Sequence, residues 1–291
     1  MTEPRSTPDP RDREPRDDEM DVFGLTHPGR VRKLNQDHFL ICSLQKNVVV
    51  HGTSLPTIEE LPLGAERIAF LAMVADGVGG GAKGETASRL ALQAVTRYVA
   101  DSLRCYYDST ATNDQEFLDA LQNAALESHV NVTHEAEDQP DHRGMATTLT
   151  LWMGIWPRSY LLQVGDSRLY LFRDGVLTQI TRDQTMAQEL VDQGVLTSSG
   201  AFSTRWANVL SSSIGGQQTA PVVARLDEAW GSVGLICSDG LTKHVSDEQI
   251  AERLGNMTSA KQVCNDLIQD ALDGGGTDNV TVIVGRSVQK D

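Results

Sequence analysis

Positive charge is scarce in this chain: 25 lysines and arginines stand against 40 aspartates and glutamates, a net charge of -15 over 291 residues. Nucleic acid and anionic membrane surfaces are therefore poor partners, because binding to either is driven by basic patches. The acidity reads as solubility rather than as steering of cationic substrates. Long apolar runs are missing too. None approaches the roughly 18 residues of a membrane span, and the N-terminus has no signal-peptide core, so the expectation is a cytoplasmic protein. Four cysteines (Cys42, Cys105, Cys237 and Cys264) show neither close pairing nor metal-ligand spacing and read as reduced packing residues. The seven histidines show no paired ligand spacing either, and zinc would call for His or Cys.

What is present is a globular pattern with a charged leader. Residues 1–20 hold four prolines, eleven charged residues and no aromatic, a composition that reads as a disordered tail. Residues 21–288 read as a single domain. An excursion over 45–66 is punctuated by Pro56 and Pro62. Helices are expected over 85–103, 114–136, 184–193, 246–254 and 259–272 from apolar stripes at three- and four-residue spacing. Strands are expected over 147–155, 160–164, 169–172 and 176–180, with Asp174-Gly175 as a hairpin turn. A Ser/Gly-rich stretch, 194–217, reads as a mobile flap. Strands come in consecutive clusters rather than alternating with helices, which points to an α+β fold of antiparallel sheets with helices packed outside.

Three aspartates stand at the ends of short apolar strands. Asp76 closes the run 69–75, Asp239 closes 233–238, and Asp278 opens 280–284. Runs this short and apolar are buried, so the carboxylates gather at the rim of a sheet. Unpaired anions there would repel and be costly to desolvate, and a hard cation at their centre removes both objections. Gly77 would let its backbone carbonyl approach such an ion, since no Cβ stands in the way. Carboxylates, a carbonyl and waters suit Mg²⁺ or Mn²⁺. Two nucleotide readings of the same loop are weaker. Gly79-x-Gly81-x-x-Gly84 has the letters of a dinucleotide fingerprint but lacks the acidic residue about twenty positions on, and Lys83-Gly84 does not complete a Walker loop. Upstream, Arg32 could grip a phosphate bidentately, with Asp37 hydrogen-bonded to water on the cation.

In chain order these residues sit in Arg32…Asn35-Gln36-Asp37, 74–80 (VADGVGG), 145–149 (MATTL), 164–168 (VGDSR), 237–241 (CSDGL) and 276–281 (GTDNVT). Six motifs in this order and spacing resemble the metal-dependent type 2C protein serine/threonine phosphatases in their bacterial form, across about 22–286. The resemblance implies a four-layer α-β-β-α sandwich of two antiparallel sheets flanked by helices. It also implies two Mg²⁺ or Mn²⁺ ions, held by Asp76, the Gly77 carbonyl, Asp239 and Asp278, with Asp37 acting through water and Arg32 on the phosphoryl oxygens. A third, weaker metal would fall at Asp166 and Asp239, with Asn208 as a partner. The implied activity is hydrolysis of phosphoserine and phosphothreonine in proteins by a metal-activated water, opposing a bacterial Ser/Thr kinase. The alternative is a catalytically silent scaffold of the same fold. Three positions depart from the pattern. Gln36 stands where many members have Glu, Val78 where eukaryotic members often have His, and Ala146 where Gly is usual.

Overall fold

The computed structural model describes residues 13–46, 66–80, 82–106, 114–197, 204–226 and 230–290. One five-stranded sheet runs in the order β1 (Met20–His27), β12 (Val280–Ser287), β11 (Val233–Cys237), β8 (Arg168–Arg173), β9 (Val176–Gln179). A second runs β10 (Val222–Leu226), β7 (Arg158–Val164), β6 (Leu149–Ile155), β3 (Glu66–Ala75), β2 (His38–Lys46). Two residues each from β4 (Gly77–Val78) and β5 (Ala146–Thr147) pair at the rim. Every ladder is antiparallel.

Strand pleating assigns the apolar residues to layers. Along β3, Leu71, Met73 and Ala75 face outward with Ala87, Ala91 and Val95 of α1 (Ala82–Tyr106) and with Leu121 and Ala125 of α2 (Asp114–Asp138). The alternate residues Ala72 and Val74 face the other sheet and meet Leu161, Leu169, Ile236 and Ile283. Two short helices, α3 (Met186–Asp192) and α4 (Asp239–Thr242), come next in the chain, and Leu235, Val282 and Val284 point away on the far side, onto α5 (Asp247–Gly255) and α6 (Ala260–Asp273). Strands buried on both faces read as continuous apolar runs, which is why β3 and β12 carry so little polar alternation. The result is the four-layer α-β-β-α sandwich expected from the sequence. Helix starts are fixed locally. Ser246 accepts from the Gln249 N–H while Gln249 accepts from the Ser246 N–H, and Ser259 caps α6, each cap contributing about 1 kcal/mol.

Three expectations need correction. The leader is ordered from residue 13: Glu19 is fully buried, accepts from Arg13 at 2.6 Å and from the Arg16 N–H at 2.8 Å, and Arg67 of β3 grips Glu14 and Asp17. Charge that looked unfoldable is neutralised by tertiary partners. The stretch 194–217 is not wholly a mobile flap, because Ile214 is buried and exchanges two backbone bonds with Thr147, at 2.9 and 2.8 Å. The strand expected over 147–155 breaks at Thr148. The excursion at 45–66 lies, from 47 to 65, outside the described residues. At Asp174-Gly175 the turn forms as expected, with Asp174 in the left-handed region at φ 51°.

Candidate active site

One rim of the sandwich collects the carboxylates. Asp76 directly follows β3. Its N–H donates to Thr148 Oγ1 at 3.0 Å, and its carbonyl accepts from the Thr148 N–H at 2.9 Å and from Thr147 Oγ1 at 2.8 Å. Thr148 Oγ1 lies 2.6 Å from Ser167 Oγ. The break in the strand at Thr148 therefore has a use: both its hydroxyl and its N–H are turned to positioning Asp76. Gly77 follows in a space with no room for a side chain, since a Cβ there would collide with the backbone oxygens of Gly84 and Gln36.

Asp37 enters from the start of β2 and is 3% exposed. Its Oδ2 accepts from Ser238 Oγ at 2.7 Å and Thr281 Oγ1 at 2.8 Å. Its buried Oδ1 has no hydrogen-bond partner among the described residues. Asp239 opens the short helix α4 (Asp239–Thr242), and one turn later Lys243 places Nζ 2.6 Å from Asp239 Oδ2 and 2.8 Å from Asp278 Oδ2. Arg32 holds Asp278 with a two-pronged fork, Nε to Oδ1 at 2.8 Å and Nη2 to Oδ2 at 3.0 Å. Asn279 steadies the loop that carries Arg32. It accepts from the Gln36 N–H at 2.9 Å and donates to the carbonyls of Pro28 and Leu34 at 3.0 and 2.9 Å.

The electrostatics divide these acids into two groups. Burial would push the Asp278 carboxyl up, but Arg32 and Lys243 outweigh it and hold the group below the usual range. Lys243 also draws Asp76 and Asp166 down, but for the inner acids burial outweighs it. Burial, together with the charge of Asp239, pushes Asp37 up to about 6 and Asp166 up to about 8. Asp76 is raised well above the usual range by burial and by the charges of Asp37, Asp239 and Asp166. Among the described residues, no three His, Cys, Asp or Glu side chains form a ready-made cation cage. Lys243 holds Asp239 and Asp278 together instead. An all-oxygen donor set, an unpartnered carboxylate oxygen on Asp37 and mutually raised acids nevertheless fit a hard divalent cation.

The rim thus unites Arg32, Asp37, Asp76, Gly77, Asp166, Asp239 and Asp278 in one electrostatic neighbourhood. Asn208 is exposed in a turn, and among the described residues no hydrogen bond joins it to Asp166 or Asp239. Lys243 was not singled out from the sequence, although its position four residues after Asp239 is a signal that could have found it. Ser238, Thr281 and Asn279, also missed as positioning groups, lie inside the motifs already quoted.

Residues 64–273 match the family model described as Protein phosphatase 2C. The chain belongs to this family. This phosphatase 2C chain is 38% identical over 223 residues to the serine/threonine protein phosphatase PstP of Mycobacterium tuberculosis, covering 77% of the chain and 41% of that relative's length. It is 30% identical over 216 residues to the serine/threonine phosphatase stp of Listeria innocua, covering 74% of the chain and 83% of the relative. The crystal structure of PstP superposes with a TM-score of 0.74 at 33% identity, over 93% of this chain and 99% of that one. The catalytic domain of PstP in complex with two manganese ions superposes at 0.71 and 33% identity, again over 93% and 99%. Among the described residues, no helix is long and apolar enough to cross a membrane.

Proposed function

We propose that the chain is a metal-dependent protein phosphatase that removes phosphate from phosphoserine and phosphothreonine in proteins, opposing a Ser/Thr kinase in the cytoplasm. The observation that carries this reading is the placing of an exposed arginine fork beside a buried group of carboxylates on one rim. The free thiols of Cys42, Cys237 and Cys264 support a reducing compartment. Asp76, the Gly77 carbonyl, Asp239 and Asp278 would hold two Mg²⁺ or Mn²⁺ ions, with Asp37 behind them, and Asp166 with Asp239 would hold a third, weaker one. Such ions supply a water of lowered pKa and neutralise charge in an in-line displacement at phosphorus.

The chain's own residues bind and position. Arg32, 54% exposed, already presents two parallel N–H groups to a carboxylate, the same fork that fits two phosphoryl oxygens. Gripping phosphate there orients it over the rim and offsets charge on its equatorial oxygens. Ser238 and Thr281 lock the Asp37 rotamer, and Thr148 locks the Asp76 backbone. A cysteine nucleophile is a poor alternative, because burial pushes the Cys237 thiol up to about 12. A silent scaffold is disfavoured because the four acids are all present and gathered.

The test is turnover of p-nitrophenyl phosphate and a phosphothreonine peptide with added Mn²⁺. Release of phosphate that stops with chelator and with Asp76→Asn supports the reading. Release that survives both overturns the metal mechanism, and metal binding without turnover of any phosphopeptide favours the scaffold.

A further inference from the structure

At the end of the sandwich remote from the acidic rim, the sheets part around a cavity of about 590 Å³. Strand direction places it there. Gly234 lies near the start of β11, whereas Asp239 follows that strand's end. Gly285 lies late in β12, whereas Asp278 precedes its start. Phe70 and Ala72 precede Val74 on β3, which ends beside Asp76. Between the two ends, Val74, Leu161, Leu169, Ile236 and Ile283 fill the space between the sheets.

The sequence keeps this end open. A Cβ at Gly234 would meet only the Gly285 carbonyl, at 3.9 Å, although glycine weakens a strand and is often kept for a bulge, a tight bend or a close approach. The walls are aromatic. Phe70 and Trp152 meet edge-on at 6.3 Å, and Trp156 and Trp230 at 6.5 Å. Two hydroxyls lining the cavity, Ser159 Oγ and Ser232 Oγ, are buried and have no hydrogen-bond partner among the described residues. Ser159 is 4% exposed, and a buried hydroxyl left unpaired is destabilising unless something reaches it. The lining charges are four arginines (Arg67, Arg158, Arg173 and Arg286) against Glu14. Arg67, Arg158 and Arg286 are ion-paired to carboxylates at 2.6 to 3.2 Å, whereas among the described residues Arg173 pairs only with its exposed neighbour Asp174, at 3.4 Å.

We propose that this cavity is a binding site for a small aromatic acid. Its ring lies among the tryptophans, a polar ring substituent reaches Ser159 and Ser232, and its anionic group meets Arg173 at the mouth. The volume lies within the range of ordinary small-molecule sites, and the make-up is theirs too: mostly apolar walls with a few convergent polar groups. Aromatic faces give the ring its contact, and Arg173, whose partner Asp174 is exposed, supplies the positive charge for the anion at the mouth. The inference does not depend on the phosphatase reading, since its readout is binding.

Three of the chain's four tryptophans line the cavity, so their emission reports occupancy directly. The full chain is titrated with 1-anilinonaphthalene-8-sulfonate and with its uncharged analogue N-phenyl-1-naphthylamine. The expected result is saturable one-to-one quenching, tighter for the sulfonate. Gly234→Leu, which fills the cavity, should abolish binding of both dyes without lowering the melting temperature or p-nitrophenyl phosphate turnover. Arg173→Gln, at an exposed side chain, should weaken the sulfonate by about two- to fivefold and leave the uncharged dye unchanged. No binding to the parent, unsaturable binding, or binding undiminished in Gly234→Leu overturns the proposal. If Gly234→Leu does not fold, an Arg173→Gln variant that fails to separate the two dyes overturns it instead.

Discussion

At one end of the sandwich, β3, β11 and β12 deliver Asp76, Asp239 and Asp278 to a crowded rim. At the other, the same three strands deliver Ala72, Gly234 and Gly285 around open space. The rim is dense with hydrogen bonds: Thr147, Thr148, Ser238, Thr281 and Asn279 each place a backbone or carboxylate group. At the cavity, two buried hydroxyls have no hydrogen-bond partner among the described residues, whereas at the rim a single carboxylate oxygen, Asp37 Oδ1, is in that state. The difference shows how one scaffold supports both. Strand ends can carry charge because loops there supply donors and cations, whereas the pleated interior can be opened only by withholding side chains. The filled middle layer keeps the two ends apart.

The comparison breaks most sharply at Asp76. Replacing it with Asn should lower phosphopeptide hydrolysis on the order of a thousandfold, whereas Gly234→Ala at the other end should leave hydrolysis unchanged; steady-state kinetics of the two variants check this. Arg32→Lys comes next. A lysine keeps the charge but loses the fork, so kcat/KM should fall by about ten- to a hundredfold with a raised KM. Thr281→Val removes one of the two donors to the buried Asp37 and should cost about 1–3 kcal/mol of unfolding free energy, read by denaturant titration. The smallest effect belongs to the leader, which packs at the cavity end. Glu19 is held below the usual glutamate range first by Arg13 and then by the Arg16 and Lys290 N–H groups, with burial opposing. A lowered acid adds stability above its unfolded value of 4.5, and that stability is lost as pH falls toward the folded value. The melting temperatures of the parent and Glu19→Gln should therefore differ at pH 7 and converge progressively below about pH 4.5.

Much of the rim was legible because its information is local. Asp76-Gly77, Asp239-Gly240 and Asp278-Asn279 each join a strand end to a turn, and their order along the chain specifies one family. The paired layers followed from clustered strands. The parts that were missed are those decided by distant partners. Lys243 matters only because a helix turn returns it to Asp239 and brings it to Asp278. The leader folds only because Arg67 and buried Glu19 answer its charges. Ile214 is fixed by Thr147, about seventy residues away in sequence, and β10, the edge strand Val222–Leu226, carries too mixed a pattern to stand out. The cavity left a trace only in glycines that a sequence alone cannot assign to one face.

The most direct test of the central claim is a calorimetric titration of the full chain with Mn²⁺. An acid group built for a metal pair should take up two ions in the parent and lose that uptake in Asp76→Asn. Absence of binding in the parent, or parent-like uptake by Asp76→Asn, would contradict it.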